Sequence, residues 1–209
     1  MCLCLAHGAQ AQDFVDSSGP LDDAAFYRLV ACAAPPDGPC AKPFYKWRRT
    51  TLTVGIITRD PSFLGGKMKR ADAALVRALK HLNAAGSGMS LRQSDTNPDI
   101  AIHLLPTKRG TTITAPAPLG GLTMANAITA LDVDGDTIGG AAIGFSSTMT
   151  IRQYESVMLE EIIQALGLIT DIQNPHYQTR SILSQNADNS LKTLGEQDKM
   201  ALIRHYPPN

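Results

Sequence analysis

Leu159-Glu160-Glu161-Ile162-Ile163-Gln164-Ala165-Leu166-Gly167 is the stretch whose reading decides the fold. On a helix, residues four apart share a face, so Glu160 and Gln164 point the same way. Glu161 projects about 100 degrees round from Glu160. Gly167, seven residues after Glu160, returns to that face and can release the chain into a turn. The spacing predicts a helix over 150–166, stopped by Gly167.

Downstream, 171–185 reads as a polar, irregular segment. A last helix is expected from Thr193, whose hydroxyl can cap it, with Glu196 three residues on completing a capping box. Leu202, Ile203 and Tyr206 supply its apolar face, and Pro207-Pro208 ends it.

Upstream, 125–132 and 137–145 read as two strands joined by a turn at Asp134-Gly135. The stretch 107–122 has no clear period and reads as a long loop, with room for one short strand. Strands are expected at 89–93, 99–105 and 47–58, the last from the alternation of Leu52, Val54 and Ile56. Helix 67–84 presents Leu75, Val76, Leu79 and Leu82 as an apolar stripe. A short helix is expected over 21–30. The order is helix, strand, helix, several strands, helix, irregular segment, helix, which is a mixed α/β (α+β) pattern.

The chain has 209 residues, 44% apolar and 18% charged, enough for one domain with a sizeable core. Lys+Arg and Asp+Glu each number 19, so there is no net charge to draw nucleic acid or an anionic membrane. No stretch is long and apolar enough to span a bilayer. Met1 to Ala6 is a short apolar run, and Ala9-Gln10-Ala11 offers the small residues a signal peptidase needs. Residues 1–11 therefore read as a remnant signal peptide, with the mature chain starting near Gln12. Cys2 and Cys4 leave with it, and Cys32 and Cys40 remain. The Pro- and Gly-rich loop between them can bring the pair together as a disulfide, which suits an oxidising compartment. The alternative is two unrelated reduced thiols. The expected location is periplasmic or secreted.

The 159–167 stretch resembles the HExxHxxG helix of metzincin-type zinc peptidases. In that family two histidines four apart bind zinc, and the Glu between them polarises the bound water. The histidine positions are Glu160 and Gln164 here, and the general-base position is Glu161. The third-ligand region is Thr170-Asp171. Arg180 to Ser184 resembles the Met-turn, with Leu183 where Met should be. The helix carrying Asp198 resembles the C-terminal helix whose Asp braces that turn. Together with the Cys32–Cys40 loop before Trp47, the pattern is similar to a bacterial family of exported proteins known only as a domain of unknown function. The resemblance implies a metzincin-like mixed sheet over 47–209, preceded by a helix and disulfide loop over 12–46.

The departures decide the functional expectation. Zinc prefers imidazole and thiolate, and two imidazoles are gone. No metal site and no cofactor is expected, and zinc least of all. Glu160, Gln164, Asp171 and His176 are the candidate binding residues, and Glu161 the candidate catalytic one. The expected role is a non-catalytic, pseudo-peptidase-like module that binds an extended peptide or an envelope protein. The alternative is an atypical hydrolase, with or without a metal, using Glu161 as base and His176 or Asp171 as helpers. Glu160 and Asp171 could also hold a harder cation such as calcium. The simpler reading is that Glu160 and Gln164 hydrogen-bond the irregular segment. His103 reads as a satisfied sheet histidine, and His81 and His205 as helix-surface residues. Asp132 to Asp136 lacks the Gly and Glu spacing of an EF-hand and reads as a hairpin turn.

Overall fold

β-Branched residues in alternation build the centre of the molecule, and alanine- and leucine-rich helices cover it. The computed structural model describes residues 9–11, 14–185 and 190–208. Residues 1–8, most of the expected signal peptide, lie outside the described residues.

In chain order the elements are β1 (Ala9–Ala11), β2 (Phe14–Asp16), α1 (Asp23–Cys32), β3 (Lys46–Trp47) and β4 (Thr51–Arg59). Then come α2 (Gly66–Asn83), β5 (Ser90–Gln93), β6 (Ile100–Leu105), β7 (Ala127–Asp134) and β8 (Thr137–Ser146). The chain closes with α3 (Tyr154–Ala165), β9 (Asp171–Gln173) and α4 (Glu196–His205). The fold is α/β, with a mixed, mostly parallel seven-stranded sheet in the order β1-β7-β8-β6-β4-β5, and β3 also pairing with β8. Strands β5, β4, β6 and β8 run parallel to their neighbours, and β7 turns back antiparallel on β8 through the Asp134–Gly135 hairpin.

Alternation along β7 divides the core. Ala127 and Leu131 face the main core with α3, while Ile128 and Ala130 face a smaller cluster with Ile113, Leu119 and Met124 from the 106–126 loop. That loop contributes a single bridge, Thr112 to Thr123. Helices α2 and α3 pack together, and α1 packs on α4. Phe26, Leu29 and Val30 of α1 belong to the same core as the sheet. Cys32 and Cys40 are joined as a disulfide, with Cα atoms 5.2 Å apart.

Several local expectations need correction. The strand expected over 47–58 is two strands, because Trp47 is drawn away from β4. Its indole Nε1 donates to Ala165 O at 2.8 Å, and its backbone N donates to the Tyr206 hydroxyl at 3.0 Å. Val76 is 57% exposed, and the buried face of α2 is made instead by Ala71, Ala74, Leu75, Ala78, Leu79 and Leu82. Alanines suit that face because α2 lies close against α3. Thr193 does not cap α4. Gly195 is the cap, and the Asp198 carboxylate reaches back to accept from its N–H at 2.7 Å. A Cβ at Gly195 would fall 1.7 Å from Arg180 O, so no larger residue fits there.

His205 is the clearest reversal. It is 1% exposed, not a surface residue. Nε2 donates to Tyr45 O at 2.9 Å, which leaves Nδ1 to accept from the Tyr27 hydroxyl at 3.1 Å. The same crossing explains Gly167. Its φ is +100°, and a Cβ there would stand 2.0 Å from Tyr45 O and 2.8 Å from His205 Nε2.

Candidate functional site

Helix α3 is buried on nearly every side. Val157, Met158, Leu159, Ile162 and Ile163 fill the core, so only a narrow polar strip remains. That strip is Glu160, Glu161 and Gln164, and it faces a cavity of about 620 Å³. Asn126 and Ala127, at the start of β7, line one wall. Asp171, Gln173 and Asn174, in and after β9, line the other.

Hydrogen bonds fix three of the four polar groups. Gln164 Nε2 donates to Asp171 Oδ1 at 2.7 Å, and Gln185 Nε2 donates to Asp171 Oδ2 at 2.8 Å. Thr129 Oγ1, on β7, donates to Glu161 Oε2 at 2.6 Å. Gln164 Oε1 is buried and accepts no hydrogen bond from the described residues. A buried acceptor left in that state costs about 1–3 kcal/mol relative to a satisfied one. Glu160 keeps a partly exposed face towards the cavity.

The 180–185 segment is held from below. Asp198 is fully buried; its Oδ1 accepts from Ser181 Oγ at 2.5 Å and its Oδ2 accepts from Ile182 N at 2.8 Å. Backbone bonds from Ile172 N to Leu183 O and from Gln185 N to Ile172 O then lay the segment along β9. Asp198 thereby sets Gln185 beside Asp171, some distance from the helix it sits on.

Burial dominates the electrostatics. It pushes the Glu161 carboxyl up to about 8, against the pull of the Thr129 hydrogen bond. It pushes Asp171 up to about 7, against donation from Gln164 and Gln185 and the charge of Lys42. Glu160 lies well above the ordinary range, through burial first and then through Asp171, Glu161 and Asp198. The cluster therefore holds protons at neutral pH. A protonated Glu161 can donate a proton, which is the opposite of the base role expected for it.

The donor set does not suit zinc. It offers carboxylate and amide oxygens where zinc prefers imidazole and thiolate. Among the described residues, no three His, Cys, Asp or Glu side chains are placed to hold a metal ion.

Of the expected site residues, Glu160, Glu161, Gln164 and Asp171 come together. His176 does not join them. Its ring stands edge-on to Tyr177 with centroids 5.0 Å apart, in a separate groove with Arg180, Glu196 and Gln197. His103 is buried and bonded through Nδ1 to Thr58 Oγ1 at 2.8 Å, as a satisfied sheet histidine should be. Sequence reading missed Thr129, Gln185 and Phe14. Thr129 carried a faint signal, as the one hydroxyl in the apolar run Ala127 to Leu131.

Comparison with protein-family models found no match, and comparison with curated proteins found none either.

Proposed function

We propose that the protein is an exported binding module that holds an extended peptide in the cleft beside β7 without cutting it. The observation that supports this most is the way the polar strip is occupied. Gln164, Asp171 and Gln185 are committed to one another, and Glu161 to Thr129. A catalytic set must be aimed at a reacting atom, whereas these groups are aimed at their neighbours. The cavity beside them stays open at about 620 Å³, which suits a side chain or two of a bound chain. The resemblance to a metzincin helix without its histidines fits the same reading. So does export: the Cys32–Cys40 disulfide suits an oxidising compartment, and no described helix is long and apolar enough to cross a membrane.

A second reading has its own observation. Glu161 at about 8 and Asp171 at about 7 are two carboxyl groups poised for proton transfer. A metal-independent hydrolase could use them as acid and base.

Capture of peptides from a random decapeptide library, followed by fluorescence anisotropy on the captured sequences, tests the binding reading. Saturable binding that is weakened at least tenfold by the cavity-filling change Glu160→Trp is expected. Absence of saturable binding at millimolar peptide would overturn it.

A further inference from the structure

Helix α2 buries its alanine and leucine side and turns the opposite side to solvent. At about 100 degrees per residue, Lys69, Arg70, Val76, Arg77 and Lys80 fall within an arc of about 120 degrees on that outer side. All five are exposed. Four are cations, and no acid stands among them. Asp72 lies at the margin of the arc and is bound to Arg59 at 2.8 Å.

Two other segments extend this face. Gly66 belongs to the same arc, and a Cβ there would lie 3.8 Å from Ile151 Cδ1. Ile151 therefore stands over the first turn of α2 on its outer side, with exposed Arg152 next to it in the chain. Glu155, in the first turn of α3, pairs with Arg77, with Arg70 at 3.6 Å and with Lys192 at 3.7 Å. One carboxylate meets three cations there, so positive charge is left over. Lys69, Lys80 and Arg152 make no ion pair with the described residues. The chain as a whole has no net charge, so the excess is local and acts within about 8 Å at physiological salt.

Apolar side chains gather on the same face. Among the described residues five large ones are exposed, and three of them are here: Leu64, Val76 and Ile151. Leu64 is 75% exposed and sits in the turn that leads into α2. A nucleic acid or an acidic protein would pair the cations and leave Leu64 and Ile151 in water. A lipid surface takes both kinds of group. Its phosphates meet the Lys and Arg heads, and its acyl boundary takes the apolar side chains.

We infer that the outer face of α2, with Leu64 and Ile151 at its N-terminal end, is a docking surface for an anionic lipid bilayer. The protein lies on the membrane rather than through it. Lys69 and Lys80, about 17 Å apart along the helix, reach two separate headgroups. Leu64 and Ile151 dip into the interface at one end. None of these residues lines the peptide cleft, so the docking surface stands whether or not the cleft holds a peptide.

Cosedimentation of the full chain with vesicles tests this, using phosphatidylcholine alone or phosphatidylcholine and phosphatidylglycerol in equal parts. Binding to the anionic vesicles, weakening as salt is raised, and none to the neutral vesicles is the expected result. Lys69→Gln/Lys80→Gln is expected to weaken binding about tenfold, and Leu64→Ser about threefold, with melting temperatures unchanged. Arg48→Gln/Arg204→Gln removes the same charge from exposed positions outside this face and is expected to bind as the native chain does. No binding to either vesicle, equal binding to both, or equal losses from the two double variants would overturn the docking surface. If polyglutamate or a DNA duplex binds as tightly as the vesicles and Leu64→Ser loses nothing, the face takes an acidic polymer and the lipid assignment is wrong.

Discussion

Glu161 is 4% exposed, and burial holds its proton to about pH 8, whereas the unfolded chain releases it near 4.5. The folded state therefore binds the proton more tightly than the unfolded state. Its contribution to stability is complete below about 4.5 and is lost as pH rises through 8. Asp171, raised to about 7, acts in the same direction. His205 opposes them. Burial lowers it to about 4, so its contribution is lost as pH falls from 6.5 through 4. Comparing the native chain with Glu161→Gln separates these effects. The amide keeps an acceptor for Thr129 and cannot ionise. The variant is expected to be more stable at pH 9 by on the order of a few kcal/mol, with a flatter loss of stability between pH 5 and 9. Urea unfolding across that range checks it; parallel curves for the two proteins would contradict it. Glu160, Glu161 and Gln164 could be grouped from sequence because helical spacing is local. Thr129 could not, since it reaches Glu161 across 32 residues. The buried state of His205 was equally hidden, because its partners Tyr27 and Tyr45 are 178 and 160 residues away.

Among the elements, α4 carries the residue that organises the floor of the cleft. Asp198 accepts from Ser181, Ile182 N and Gly195 N, so its loss strands two backbone donors and a hydroxyl in the interior. Asp198→Ala is expected to destabilise by about 3 kcal/mol, measured by urea unfolding. Asp198→Asn, which keeps the shape and part of the accepting capacity, is expected to lose less. Equal stability in all three proteins would mean that the turn is held elsewhere. Asp198 and the 180–185 turn are in direct contact, through Ser181 Oγ and Ile182 N. The start of α4 was misread for a physical reason. Thr193 and Glu196 have capping-box spacing, but the close approach of Arg180 O demands Gly195 at the cap. Likewise, periodicity found the apolar face of α2 but chose Val76, since hydrophobicity alone does not reveal that the close contact with α3 favours alanine.

Across the whole molecule, the N-terminal part is bound to the rest by the α1–α4 packing and by the strand pairs β1–β7 and β2–β9. The Cys32–Cys40 bridge closes a short loop at the end of α1. In the chain-entropy account, so short a loop contributes about 2.5 kcal/mol. Replacing both cysteines by alanine is expected to lower the melting temperature by roughly 5–10 °C, read by calorimetry. An unchanged melting temperature would mean the loop is already ordered without the bridge. The α/β architecture was legible from the strand and helix periods. Strands β1 and β2 were not, because three-residue strands have no period to read and their partners lie more than a hundred residues away.

A binding module and a hydrolase differ most simply in whether a peptide held in this cleft leaves it whole. Mass spectrometry of a defined decapeptide library after prolonged incubation with the protein, with and without added zinc, reads this directly. Intact peptides in every mixture, from the native chain and from Glu161→Gln alike, are the predicted result. Cleavage products that form with the native chain and disappear with Glu161→Gln would contradict it.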